Sequence, residues 1–201
     1  MSAQFGEDAI LARIFATIGT TNRFAVECGA RDGVGNSNTH QLRVSGWTCV
    51  LLDAYPQAPI VAQVFLTAEN IEPTFSAHGV PATFDLLSID IDGNDFWLWR
   101  ALTAYVPRVV VIEYNSSFGP DERRVITYEP ARRWDKTDYY GASAAALAAL
   151  GEEKGYLLAA VTRANLVFVQ AAAAKGLAPV ALPPAAPYGY PHAKGRPWEV
   201  V

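Results

Sequence analysis

What the chain lacks narrows it first. No stretch reaches the roughly 18 consecutive apolar residues that a membrane-spanning helix needs. No lysine or arginine run stands out among 16 basic residues set against 20 acidic ones, and the formal net charge is −4. Nucleic acid is therefore a poor partner, because backbone binding calls for a clustered cationic footprint. The two cysteines, Cys28 and Cys49, are too few for a disulfide framework or a zinc-thiolate site. Both fall in apolar runs and read as reduced core thiols. The three histidines, His40, His78 and His192, stand at no metal-ligand spacing, which argues against a zinc centre. There is no G-x-S-x-G elbow for a hydrolase nucleophile and no G-x-x-x-x-G-K-[ST] phosphate loop. The first residues carry no charged segment followed by an apolar core, so no signal peptide is expected and the expected location is cytoplasmic.

What is present belongs to a globular protein. Of 201 residues, 51% are hydrophobic and 18% charged, enough for one domain with a full core. That domain is expected over residues 1–178. Residues 179–201 carry six of the thirteen prolines and are expected to wrap its surface as an extended tail. Apolar spacing at Ile10, Leu11, Ile14, Phe15 and Ile18 predicts a helix over 4–18. Apolar runs predict strands near 24–27, 47–52, 64–68, 84–90 and 108–112. Helices are expected at 40–44, 57–62, from about 69 to 77, and at 96–105. Ser143 reads as the N-cap of a helix over 144–154, and 156–161 with 165–169 reads as an antiparallel hairpin. Alternating strands and helices, with strands that are near-continuous apolar runs, argue for βαβ units and a mostly parallel sheet covered on both faces. Residues 116–140 form a long excursion rich in charge, aromatics, glycine and proline, which in a compact domain points to function. Its end, Trp134 to Ser143, reads either as a packed cover of the sheet edge or as the wall of a substrate pocket.

The chemistry-bearing residues gather at strand ends. Glu27, Gly29 and Gly33 spell E-x-G-x-x-x-G as the first strand runs out. Glycines there let a backbone approach a nucleotide-like ligand beyond the carboxyl edge of an open sheet. Asp53 ends the second strand 26 positions after Glu27 and is placed to accept from ribose hydroxyls. Asp90 and Glu113 end two further strands. Four acids on one edge repel one another unless a ligand, metal or buried donor offsets the charge. Asp90, Asp92, Asp95, Glu113 and Asn115 offer hard oxygen ligands suited to Mg²⁺. The same residues also read as a general base (Asp92) and a helix cap (Asp95), and these readings stand side by side.

The chain resembles the FkbM-type family of S-adenosylmethionine-dependent methyltransferases from Gln4 to about Val169. The resemblance rests on Gln4-Phe5-Gly6-Glu7-Asp8, Phe24-Ala25-Val26-Glu27-Cys28-Gly29-Ala30, Asn36-Ser37-Asn38-Thr39 and Gly46-Trp47. Its most specific part is Leu86-Leu87-Ser88-Ile89-Asp90-Ile91-Asp92-Gly93-Asn94-Asp95. It implies a Rossmann-like class I methyltransferase sandwich: an α/β fold with a mostly parallel seven-stranded sheet whose last strands form an antiparallel hairpin. It implies S-adenosyl-L-methionine as cofactor, held by Glu27, Gly29, Ala30, Gly33, Asp53, Asn70 and Asp90, with Asn70 on the adenine side. Asp90, Glu113 and Asn115 match positions that hold Mg²⁺ in catechol and macrocin O-methyltransferases, and Asp90, Asp92 and Glu113 become the catalytic acids. The implied reaction is O-methylation of a small-molecule hydroxyl, on a sugar or a polyketide. A homo-oligomer is left open. Two other readings remain at this point. A nicotinamide-dinucleotide oxidoreductase keeps the fold but lacks the third glycine of G-x-G-x-x-G. A non-catalytic module would bind its cofactor or partner through residues 116–140.

Overall fold

Apolar runs bounded by turn residues become the strands of one seven-stranded sheet in the computed structural model, which describes residues 3–201. In chain order the elements are α1 (Glu7–Ile18), β1 (Phe24–Cys28), α2 (His40–Val44), β2 (Thr48–Asp53), β3 (Ala62–Gln63), α3 (Ile71–Ala77) and β4 (Thr83–Ile89). There follow α4 (Asp95–Ala101), β5 (Val106–Glu113), β6 (Arg124–Ile126), α5 (Ala144–Glu153), β7 (Tyr156–Val161), β8 (Asn165–Gln170) and β9 (Trp198–Val200). The sheet runs β3-β2-β1-β4-β5-β8-β7. Its pairings are parallel from β3 through β5, and β8 is antiparallel to both of its neighbours. This is a Rossmann-like α/β architecture with both sheet faces covered. Val26, Leu87, Val110 and Phe168 pack one face beneath α3, α4 and α5, and Ala25, Leu86, Val109 and Val167 pack the other beneath α1. No helix among the described residues is long and apolar enough to cross a membrane.

Most expected elements form, and the departures have local causes. Ser143 caps α5 as expected, its side chain accepting from Ala146 N at 3.2 Å. The expected helix over 57–62 does not form, since Pro56 and Pro59 break it into turns. The strand expected over 64–68 is replaced by the two-residue β3, an edge strand that pairs only with Leu52 and Asp53. Helix α4 ends at Ala101 instead of continuing to 105. Glu72 Oε1 accepts from Thr103 N at 2.5 Å and Ala104 N at 2.7 Å, drawing the chain out of the helix. The long excursion has structure of its own, because β6 pairs antiparallel with β9 from the proline-rich tail.

One carboxylate organises the amino-terminal edge of the sheet. Asp85 of β4 is fully buried and accepts from the backbone N–H groups of Thr21, Asn22 and Arg23, from Thr21 Oγ1, and from Arg108 Nη1 at 2.8 Å. Arg108 of β5 also donates to the carbonyls of Ile18 and Gly19, so one ion pair joins α1, the turn into β1, β4 and β5. Burial opposes the charge on Asp85, but Arg108 and the backbone donors outweigh it and hold the carboxyl below its usual range. Replacing Asp85 with Asn is expected to cost about 3 kcal/mol, since it strips a buried charge pair of one partner. The unfolded carboxyl titrates near about 3.9, above the folded one. The contribution of Asp85 is therefore complete above that value and lost as pH falls through the folded pKa. Urea unfolding of both proteins at neutral and acid pH measures the loss and its disappearance in acid.

Candidate cofactor and acid site at the carboxyl edge

The site begins with a close approach of two backbones. Beyond Cys28 the chain turns through Gly29 at φ 89°, and Gly29 N and Ala30 N both donate to Leu52 O. A Cβ built on Gly29 would lie 1.6 Å from Asp90 O, so no other residue fits. The glycine is required first by the close approach of strand to strand. Because β1 and β4 are neighbours while the chain leaves them in opposite directions, a crevice opens above them, where open α/β sheets place their ligands. A cavity of about 500 Å³ occupies that place, lined by Gly29, Ala30, Asp53, Asp90, Asp92 and Glu113 among others.

Three of these acids converge. Asp90, Asp92 and Glu113 each offer a carboxylate oxygen, and the three atoms lie within 4.8 Å of one another. Asp92 sits in the left-handed region at φ 56°, which turns it back toward the strand ends. Glu113 Oε2 is buried and has no hydrogen-bond partner. Burial pushes the carboxyl groups of Asp90 and Glu113 well above their usual range, and the neighbouring acids push them further. Asp92 is raised by loss of solvent inside the cleft and then by Asp53, with Arg31 opposing. Asp95 is a cap: it accepts from Ile91 N at 2.8 Å and Gly93 N at 2.9 Å, and burial lifts its pKa to about 6 despite those donors. A divalent cation fits this donor set: hard oxygens, excess negative charge and an unpartnered buried lone pair.

Asp53, at the end of β2, lines the same cavity two strands across from Asp90. Its oxygens accept one backbone N–H each, from Arg31 at 2.8 Å and Tyr55 at 2.6 Å. Each keeps a lone pair for a ligand hydroxyl.

Other sequence-expected residues sit elsewhere. The Glu27 carboxylate is buried and consumed by Ser37 Oγ (2.7 Å), Asn38 N (2.7 Å) and Thr39 Oγ1 (2.5 Å), and burial raises its pKa above the usual range. It folds the 36–39 run against β1, and Asn36 and Ser37 reach the cavity in its place. Gly33 packs toward Leu51 and does not line the cavity. The Asn70 amide is spent on its own loop, accepting from Thr67 N and donating to Phe65 O, which positions Phe65 and Leu66 on the cavity wall. Asn115, expected as a metal ligand, is buried with its amide donating to Asp138 O and Tyr140 O and accepting from Ser117 N. It ties the excursion to β5, and Asp92 takes its place in the acid set.

Sequence reasoning missed part of the wall. Tyr188 and Tyr190 of the tail line the cavity beside Trp134, whose ring centroid lies 5.1 Å from that of Tyr190. Arg163 backs Tyr188 at 4.5 Å. The tail is held by Ser116, which exchanges hydrogen bonds with Ala186, and by Asp138, which accepts from His192 and Ala193 N. The signal was a Tyr-Gly-Tyr run within a stretch otherwise rich in proline and alanine. No family model matches the chain, and no match to it is found among curated proteins.

The two glycines of the loop should respond differently to substitution. Gly29→Ala is expected to cost about 3 kcal/mol or more, because the clash is with backbone and forces β1 and β4 apart. Gly33→Ala meets only the movable Leu51 Cδ1 at 2.8 Å, and its strain at φ 70° should cost about 1 kcal/mol. Urea midpoints of the two variants measure the difference.

Proposed function

We propose that this chain is an S-adenosylmethionine-dependent methyltransferase that moves the sulfonium methyl to a hydroxyl of a small molecule. The observation that carries the reading is a cavity at the β1–β4 switch point lined both by Asp53 and by the convergent Asp90, Asp92 and Glu113. The first suits a ribose diol and the second a hydroxyl about to lose its proton. The sheet order, with antiparallel β8 set between β5 and β7, agrees with the class I methyltransferase sandwich that the FkbM-type resemblance implies. The net negative charge and the absence of a cationic footprint favour a small acceptor over nucleic acid.

In the transfer, the acceptor oxygen forms a bond to the methyl carbon as the carbon–sulfur bond breaks, and sulfur keeps the electron pair. Such a displacement is chiefly a matter of alignment. Asp53, fixed by two backbone donors, sets the donor's register. Gly29 and Ala30 let the donor lie against the strand end. Asp92 is the most exposed of the three acids, and its raised proton affinity suits it to take the hydroxyl proton. Asp90 and Glu113, with Asp92 beside them, would hold Mg²⁺ in place of the Asp90–Glu113–Asn115 set implied by resemblance. A divalent ion there would supply Lewis-acid stabilisation of the acceptor's developing negative charge. Trp134, Tyr188 and Tyr190 wall the acceptor end and limit water.

Calorimetry with S-adenosylhomocysteine tests the donor half. The wild type should bind it, and Asp53→Ala should weaken binding at least about tenfold, the loss expected when hydrogen bonds to a charged acceptor are removed. Glu113→Gln should keep that affinity while losing Mg²⁺ binding and methyl transfer to a hydroxyl acceptor. A wild type with no affinity for S-adenosylhomocysteine overturns the reading.

A further inference from the structure

The excursion reaches the cavity wall on fixed supports. Trp97 Nε1 donates to Ile126 O and Asn94 Nδ2 donates to Glu129 O, both at 2.9 Å. The Tyr128 hydroxyl donates to Glu69 Oε2 at 2.6 Å and accepts from Ala68 N at 3.0 Å. These contacts carry the chain from α4 to the loop before α3 and bring Arg132 and Arg133 to the cavity wall. The two arginines differ sharply in their commitments. Arg132 pairs with Glu129 at 3.6 Å and lies over the Tyr139 ring at 4.6 Å. Arg133 has no hydrogen bond or ion pair with any described residue, and its guanidinium carbon rests 5.2 Å from the Tyr55 ring centroid and 6.0 Å from that of Phe65. Tyr55 and Phe65 both line the cavity, and Tyr55 is 56% exposed. A planar cation without a fixed partner, set over two aromatic side chains at the mouth of a cavity, is arranged to receive a flat, electron-rich ring.

We propose that Arg133 closes over the adenine base of the bound donor, its guanidinium moving from the Tyr55 ring onto the face of the base. This rests on the methyltransferase reading. Asp53 would hold the ribose two residues before Tyr55, so the base leaves the sugar beside Tyr55 and Phe65. Asn70, implied by resemblance on the adenine side, has its amide occupied within its own loop. Guanidinium is flat and weakly hydrated and stacks readily, so exchanging one π face for another costs little. Arg133 is brought to this place by residues 126–129, which are pinned to α4 and to the loop before α3. The excursion would therefore add its own contact to those that the sheet loops supply.

Calorimetry of the full chain with S-adenosylhomocysteine and, separately, with adenosine tests the assignment. Arg133→Ala is expected to weaken both ligands about tenfold, the loss of one desolvated cation–π contact. Arg133→Lys, which keeps the charge without the plane, should fall between Ala and wild type. Because Arg133 is exposed and makes no hydrogen bond, the urea midpoint of the alanine variant should equal that of wild type, separating lost affinity from lost fold. Wild-type binding of S-adenosylhomocysteine with an Arg133→Ala affinity within twofold overturns the Arg133 contact and leaves the donor reading intact. A wild type that binds no S-adenosylhomocysteine overturns both.

Discussion

The carboxyl edge of the sheet depends on one contact between backbones, that of Gly29 with the carbonyl of Asp90. Neighbouring strands normally diverge where their pairing ends. Here Asp90 N still donates to Cys28 O at 3.0 Å, one residue beyond the end of β4, and the missing Cβ of Gly29 lets the two chains stay together. Asp90 is therefore held at the floor of the crevice. The Gly29 and Ala30 N–H groups are left to bind Leu52 O, which draws β2 and its terminal Asp53 into the same rim. Asp53 and Asp90 both take their positions from that single approach.

The two edges of the sheet handle charge in opposite ways. At the amino-terminal edge Asp85 is surrounded by donors and paired with Arg108, and its charged form is favoured. At the carboxyl edge Asp90 and Glu113 are half-buried, their carboxylates accept no hydrogen bond from the described residues, and loss of solvent together with the neighbouring acids disfavours their charged forms. Buried carboxylates without partners reduce stability. A fold that gathers Asp90, Asp92 and Glu113 within reach of one another devotes that edge to something other than its own cohesion. The Asp85 hub provides cohesion at the opposite edge, on the same strand β4 that carries Asp90 past its end. Perturbed acids gathered in a cleft mark functional sites for this reason.

How much of this was legible in the sequence follows from the range of the interactions concerned. The main strands, the Ser143 cap and the β7–β8 hairpin are written in local patterns: apolar runs, a hydroxyl before a helix, a polar turn between two strands. The strand-end acids were legible too, because each follows its own apolar run. The partners of side chains were not. Glu27 and Asn70 have the right chemistry for a ligand, but hydrogen-bond donors and acceptors only 3 to 12 residues away claim them first. Asn115 is claimed from 23 and 25 residues away. The β6–β9 pairing joins residues more than 70 positions apart, and three-residue strands carry too little period to announce it. The tyrosines of the tail reach the cavity through that pairing and the Ser116 and Asp138 anchors.

The β6–β9 pairing also fixes an order of assembly. Strand β8, which completes the sheet, ends at Gln170, while Tyr188 and Tyr190, which finish the cavity wall, and β9 come later. A ribosome therefore delivers every strand of the core before it delivers Tyr188, Tyr190 or β9. The nascent domain can close its hydrophobic interior with the crevice still open on one side. The stretch that follows β8 is then laid back onto the excursion, bridging β6 and Asp138. Core formation and completion of the binding chamber become separate events in time, the second governed by a segment that contributes little to the first.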